Sequence, residues 1–247
     1  AQLRKSIMHQ VVTRGLDDSV VLKDSGVGWV GRIPVHWHVV WLKNVAAVNA
    51  LSLGADTDSA HEFNYLEISN VNCLGVIDPS AIKKVRFGDA PSRARRIVCD
   101  GDILISSVRP NLQGAAFFER APADLVCSTG FNVVRPDEKK FWPKFLYYVL
   151  TSSYAWQYFE AMTTGANYPA IAEKYFLKLV FPFPPKLEQN SIVRYLDRVC
   201  HGFVELNMKL TSQIAALYDY RKSLIHECVT GKRRITAADI QKVKGDV

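Results

Sequence analysis

Residues 186–230 contain no proline and carry an apolar period of seven, and this run constrains the fold more than any other part of the chain. Leu196, Phe203, Leu210, Leu217 and Leu224 stand seven apart, with Ile192, Val199, Leu206, Gln213, Tyr220 and Glu227 as the companion series. Alternating steps of three and four residues describe a coiled-coil seam. Pro185 suits a first helical turn, where its missing donor is harmless, and only Gly202 weakens the run, by about 1 kcal/mol relative to Ala. Such a helix, about 44 residues and about 66 Å long, exceeds what a globular domain needs. Its stripe must therefore be covered by a partner chain or by residues outside this one. The expected helix–helix interface comprises Ile192, Leu196, Val199, Phe203, Leu206, Leu210, Gln213, Leu217, Tyr220 and Leu224, and a homodimer through this helix is one way to complete it.

A second feature ties the two ends together. LRKSIMHQVVT at 3–13 and YRKSLIHECVT at 220–230 match at six of eleven positions: Arg4, Lys5, Ser6, His9, Val12 and Thr13 against Arg221, Lys222, Ser223, His226, Val229 and Thr230. One unit of a tandem repeat, entered at the end of a preceding copy, accounts for this. Residues 1–14 are then expected to be the last turns of a helix, with Ala1 marking a cut inside it.

Between these ends the chain divides by composition. Residues 15–34, with Gly15, Gly26, Gly28, Gly31 and Pro34, read as a linker. Trp29 and Trp37 are expected to pin it to a domain spanning 35–185. Short apolar runs at Tyr65–Ile68, Ile103–Ile105 and Phe131–Val134, set apart by turn residues, read as strands without βαβ alternation. From Trp142 to Phe159 the pattern turns helical, and residues 170–181 suggest a short helix and then a strand. The expected class is α+β, a mixed or antiparallel sheet followed by the long helix at 186–231 and a tail at 232–247. The 247 residues hold 31 Lys and Arg against 24 Asp and Glu, a net charge of +7. That balance permits a nucleic-acid partner without requiring one. No apolar run of about 18 residues argues for a membrane span. The five cysteines, no two within four residues of each other, fit a reduced cytoplasmic chain better than a disulfide scaffold.

Most catalytic signatures are missing. There is no glycine-rich nucleotide loop, no H-E-x-x-H and no G-x-S-x-G. Asp100 and Asp102 flank Gly101 and read as a turn; a nuclease pair would need a third partner at strand spacing. His36 and His38 lack further metal ligands nearby. The basic cluster is different: Lys83, Lys84, Arg86, Arg93, Arg95 and Arg96 oppose only Asp89 within 83–96. Phosphate contacts need such a patch, though a solvated loop is the alternative. Arg109, Asn111, Thr163, Asn167 and Tyr168 add base-reading or stacking side chains on polar turns, since Arg forks onto guanine and Asn onto adenine.

Several stretches resemble the specificity subunit of type I restriction-modification systems. They are DSGVGWVGRIPVHWHVVWLKNVA at 24–46, SRARRIVCDGDILISSVRPNLQGAAF at 92–117, STGFNVVRP at 128–136, GANYPAI at 165–171, the join from FPFPP into LEQNSIVRYLD at 181–197, and YRKSLIHECVTGK at 220–232. The resemblance covers nearly the whole chain. It implies a noncatalytic reader of double-stranded DNA, with one target-recognition domain and one complete conserved helix where the full subunit has two of each. It also implies modification subunits that bind S-adenosylmethionine and a restriction subunit that uses ATP and magnesium, with no cofactor in this chain. No D/N-P-P-Y/F methyltransferase motif is present. An adaptor held by its coiled coil without reading DNA is the alternative; a nuclease or methyltransferase in its own right lacks a recognisable site.

Overall fold

The computed structural model describes residues 2–71, 75, 77, 79–165 and 168–236. It falls into two units, Ala1–Asp197 and Arg198–Val247.

The first unit opens with α1 (Gln2–Arg14), followed by β1 (Leu22–Asp24) and β2 (Arg32–Pro34). These two strands pair as an antiparallel hairpin, so the segment expected to be a linker is folded. Gly26 and Gly31 take positive φ in the connection, a conformation that costs glycine nothing. Then come β3 (His38–Trp41), β4 (Ala46–Val48), β5 (Glu62–Leu66), β6 (Lys83–Arg86), β7 (Ala94–Ile97), β8 (Ile103–Ser106), β9 (Ala115–Phe117), β10 (Leu125–Ser128) and β11 (Phe131–Pro136). The rest is α2 (Pro143–Leu150), α3 (Ser153–Ala161), β12 (Thr163–Thr164), β13 (Ala170–Ile171), α4 (Glu173–Phe176), β14 (Val180–Phe183) and α5 (Lys186–Val229). The helical pattern at 142–159 is thus two helices. Ser152 breaks the run with an extended backbone, and its hydroxyl donates to the Val149 carbonyl, the local competition that makes Ser a helix-end residue.

Two four-stranded sheets form the middle of this unit. One has the order β6-β5-β10-β7, with β5 and β10 parallel and the other pairs antiparallel; the other, β4-β11-β8-β9, is antiparallel throughout. The core between them takes Leu66, Leu125 and Cys127 from the first sheet and Leu104, Ala116, Phe131 and Val133 from the second. Successive strand residues face opposite ways, so Val126 joins Phe63, Tyr65 and Ala94 on the outer face of the first sheet. A buried carboxylate crosses the second sheet. Asp102, fully buried, accepts two hydrogen bonds from Arg135 at 2.8 and 2.7 Å and one from the Cys99 amide at 2.7 Å. Its turn role in the sequence is therefore joined to an ion pair that the sequence does not announce.

The repeated motif meets two environments. In α1, Met8, Val11, Val12 and Thr13 are buried, and the helix lies against β2, α2 and α3. Full burial of each Met or Val side chain is worth about 1.5–3 kcal/mol. In the copy at the end of α5, the counterparts of Met8 and Val12 are exposed: Ile225 at 51% and Val229 at 82%, against 2% and 0%.

The first three turns of α5 belong to the globular unit and are fastened there by polar bonds. The Trp37 indole nitrogen donates to Glu188 at 2.9 Å, and His36 lies 2.8 Å from the same carboxylate. Gln189, fully buried, accepts from the Trp142 amide and donates to the Pro184 carbonyl. Asp197 accepts from Lys144 and Tyr148. Ile192 and Leu196, expected in the helix–helix seam, are instead buried within this unit, because these turns pack onto the domain before the seam begins. In the second unit Val199, Phe203 and Leu224 are half-buried, while Leu206, Leu210, Gln213, Leu217 and Tyr220 are exposed.

Removing Arg135 strands the Asp102 charge in the core, which costs about 3–5 kcal/mol when a buried pair is broken. Urea unfolding of Arg135→Met is expected to show that loss, and the double variant Asp102→Leu with Arg135→Met to recover most of it.

Candidate nucleic-acid interface

The parallel pairing of β5 with β10 gathers the ends of several strands in one place. Parallel strands end together, so Glu67 after β5 lies at the same end as Ser128, the last residue of β10, and Thr129–Gly130 after it. The antiparallel partners contribute their opposite ends there: Arg93 before β7, and Lys83, which is in register with Tyr65. In the second sheet Phe131 pairs with Ser106, which brings the start of β11 to the end of β8 and the turn that follows. A cleft of about 730 Å³ opens at this junction, lined among others by Glu67, Arg93, Arg109, Leu112, Thr129 and Tyr168.

The turn after β8 is backbone-strained. Arg109 has φ 51°, ψ 58° and Gln113 has φ 56°, ψ 34°, both left-handed, a region that costs an L-residue about 1–2 kcal/mol. Neighbouring bonds hold the turn in place: the Arg109 amide donates to the Pro169 carbonyl at 2.7 Å, and the Leu112 amide to the Arg109 carbonyl at 2.9 Å. The Arg109 guanidinium lies 5.6 Å from the centre of the Tyr168 ring. Leu112 and Tyr168 are both well exposed. A Cβ at Gly130 would stand 2.8 Å from Ile68 Cδ1, so enlarging it would require the Ile68 side chain to shift.

Glu67 is the carboxylate of the cleft wall. Its Oε2 accepts from Arg93 at 2.8 Å and from the Tyr65 hydroxyl at 3.1 Å, and among the described residues its Oε1 accepts from the Ile68 amide alone, at 3.3 Å. Burial alone would raise its pKa, but the bonds from Arg93 and Tyr65 outweigh that and hold the carboxyl below its usual range. The same bond to Glu67, with that to Tyr65, raises the Arg93 pKa further.

The cluster at 83–96 is contiguous in sequence but divided in space, because β6 and β7 are the two outer strands of one sheet. Arg93 lines the cleft and Lys83 sits at its end of β6. Lys84 and Arg86 pair with Glu62 at 2.6 and 3.4 Å, Arg86 in register with it at the other end of the strand. Arg95 lies 4.3 Å from the centre of the Phe87 ring, and Arg96 donates to the Ser52 hydroxyl. Of the turn residues, Arg109 and Tyr168 meet at the cleft and Asn111 is exposed on the strained turn. The Thr163 hydroxyl is spent on the Phe159 carbonyl. Asn167 lies outside the described residues, as does Cys73. Glu67 and Thr129 escape a search for cations, which passes over a carboxylate; the signal available was an acid directly ending the alternating run Phe63-Asn64-Tyr65-Leu66.

Among the described residues no group of three or more His, Cys, Asp or Glu is placed to hold a metal ion, and no helix is long and apolar enough to cross a membrane.

Comparison with known proteins gives a consistent picture. The family model for the type I restriction modification DNA specificity domain matches residues 34–216. The type I restriction enzyme MjaVIII specificity subunit of Methanocaldococcus jannaschii is 25% identical over 248 residues, covering 94% of this chain and 54% of the relative. The HsdS subunit of Thermoanaerobacter tengcongensis superposes with a TM-score of 0.61 at 25% identity, covering 78% of this chain and 48% of that one. A chain from a structure addressing complex assembly and conformational transition of the type I R-M system gives 0.64 at 26% identity, covering 83% and 52%. The chain thus spans about half the length of these relatives.

Glycine at 109 would relieve the left-handed strain at a comparable entropic cost. Arg109→Gly is expected to keep or raise the thermal midpoint while removing the guanidinium from the cleft; a midpoint several degrees lower would mean that the side chain holds the turn together.

Proposed function

The chain belongs to the type I restriction modification DNA specificity domain family, and from that premise we propose that it is a noncatalytic DNA reader that directs methyltransferase and restriction subunits to one half of a split target. The observation that carries this reading is the cleft where Arg93, Arg109 and Tyr168 converge beside Lys83. Lysine and arginine supply sequence-independent affinity through phosphates, while a fixed guanidinium and adjoining turn residues offer base-edge contacts. Partner subunits would supply the S-adenosylmethionine, ATP and magnesium chemistry, in a cytoplasmic setting.

The second unit supports a role in assembly. Its exposed seam of Leu206, Leu210, Leu217 and Tyr220 is regular and apolar, and such a stripe is favoured against another helix. The exposed repeat at 220–230 points the same way, because its counterpart in α1 is packed on a recognition domain. A second copy of the chain carries the same seam, so the chain by itself would form a homodimer.

Three measurements test these proposals. Selection from a random duplex library, with a methyltransferase subunit present, should enrich a half-site or split motif; no enrichment overturns the DNA-reading role and favours the adaptor. Lys83→Ala should weaken binding evenly across sequences and flatten the slope of log affinity against log salt by about one, Arg109→Ala should cost about 1–3 kcal/mol and relax the preference at one position of the motif, and Arg96→Ala should leave both unchanged. Sedimentation should show a concentration-dependent dimer that Leu210→Asp with Leu217→Asp abolishes; a monomer at all concentrations overturns the assembly proposal.

A further inference from the structure

The cleft sets an acceptor among donors. Arg93 and Arg109 are donor-only groups, and at base edges they can recognise only acceptors such as guanine O6 and N7. An ionised carboxylate facing DNA is repelled by the phosphates, so its presence on this wall calls for a use. Glu67 is only 21% exposed, and its position is fixed from three sides by Arg93, Tyr65 and the Ile68 amide. Among the described residues Oε2 is occupied by two donors, while Oε1 has one long bond and retains accepting capacity. Arg93 beside it offsets the repulsion without consuming that capacity.

Resting on the DNA-reading role above, we propose that Glu67 is a specificity-determining residue that accepts a hydrogen bond from the exocyclic amino group of one target base, cytosine N4 or adenine N6. A carboxylate suits that edge, because an amino group in the major groove donates and a guanidinium cannot receive it. Arg93, held 2.8 Å from the carboxylate, would then stand next to the acceptor that adjoins either amino group: N7 of the same adenine, or O6 of the guanine paired with the cytosine. The pair therefore presents an acceptor and a donor side by side, as a carboxamide does, on a rigid mount. The same arrangement discriminates against thymine or guanine at that point, where O4 or O6 would face the carboxylate with no proton between them.

The test uses the full chain and duplexes selected by the wild-type protein. Glu67→Gln keeps the shape and, with its one oxygen at the Oε2 position, the bonds from Arg93 and Tyr65, but puts an NH2 donor where Oε1 accepted; it should lose about ten-fold preference at a single amino-bearing position and leave the other positions of the motif unchanged. Deleting that amino group from the DNA (purine for adenine, 2-pyrimidinone for cytosine) should cost the wild-type protein a similar factor and cost E67Q nothing further, and the two analogues identify which base is read. An even loss by E67Q across all sequences would overturn the assignment and make Glu67 a positioning residue for Arg93. Should E67Q fail to fold, the wild-type protein on the amino-deleted duplexes still decides: no loss at any amino-bearing position overturns the proposal. If the wild-type chain selects no motif, the DNA-reading role itself falls, and this inference falls with it.

Discussion

Glu188, Gln189 and Asp197 join the first three turns of α5 to side chains and backbone from residues 36–37, 142–148 and 184, and this fastening makes the start of a long helix part of the folded first unit. The three residues sit at positions that the apolar period of α5 ignores. Gln189 is the most demanding of them, because a buried amide must find partners for both of its ends, and it does so with the Trp142 amide and the Pro184 carbonyl. The helix is thereby started by the domain's own polar groups. Its next turns follow from propensity and from the absence of proline, with Gly202 as a minor weakness.

The cleft depends on a different constraint, the single parallel strand pair. Had β10 paired antiparallel to β5, Glu67 and Ser128–Gly130 would lie at opposite ends of the sheet. The parallel pairing brings them together, and the antiparallel neighbours add Arg93 and Lys83. The buried Asp102–Arg135 pair lies in the adjoining sheet, and Arg135 extends from β11, the strand that follows the Ser128–Gly130 wall of the cleft.

Much of this was legible from the residues. Ile103–Ile105 and Phe131–Val134 are strands, residues 186–229 are one helix, and Trp37 is buried. What escaped depended on which strands pair. The cations at 83–96 look like one patch because chain order is all the sequence displays, yet two intervening strands separate β6 from β7, about 14 Å at ordinary strand spacing. The hairpin at 22–34 escaped because three-residue strands carry too little alternation to register against glycine and proline. The break at Ser152 escaped because apolar spacing continues across it, while the side-chain bond that ends α2 is local and polar. Ile192 and Leu196 fit the seam by period alone; period shows which face of a helix is apolar, and cannot show what covers it.

The strained turn and the ion pair at the cleft bear on binding through what they make unnecessary. Ordering a long arginine side chain on binding costs about 0.5–1.5 kcal/mol, and a salt-dependent contact to phosphate tolerates that loss because it needs no fixed direction. Reading a base edge needs direction. Arg109 has a backbone fixed by the Pro169 carbonyl and Pro110 and a head group over Tyr168, and Arg93 is held by Glu67. Lys83, on the edge strand, is exposed. The side chains of the proposed interface therefore divide by how much freedom folding has already removed: restrained guanidiniums and a restrained carboxylate would suit discrimination, and the exposed lysine would suit affinity. Strain of about 1–2 kcal/mol at Arg109 is consistent with this division, since a relaxed turn would return that freedom to the side chain whose direction matters most.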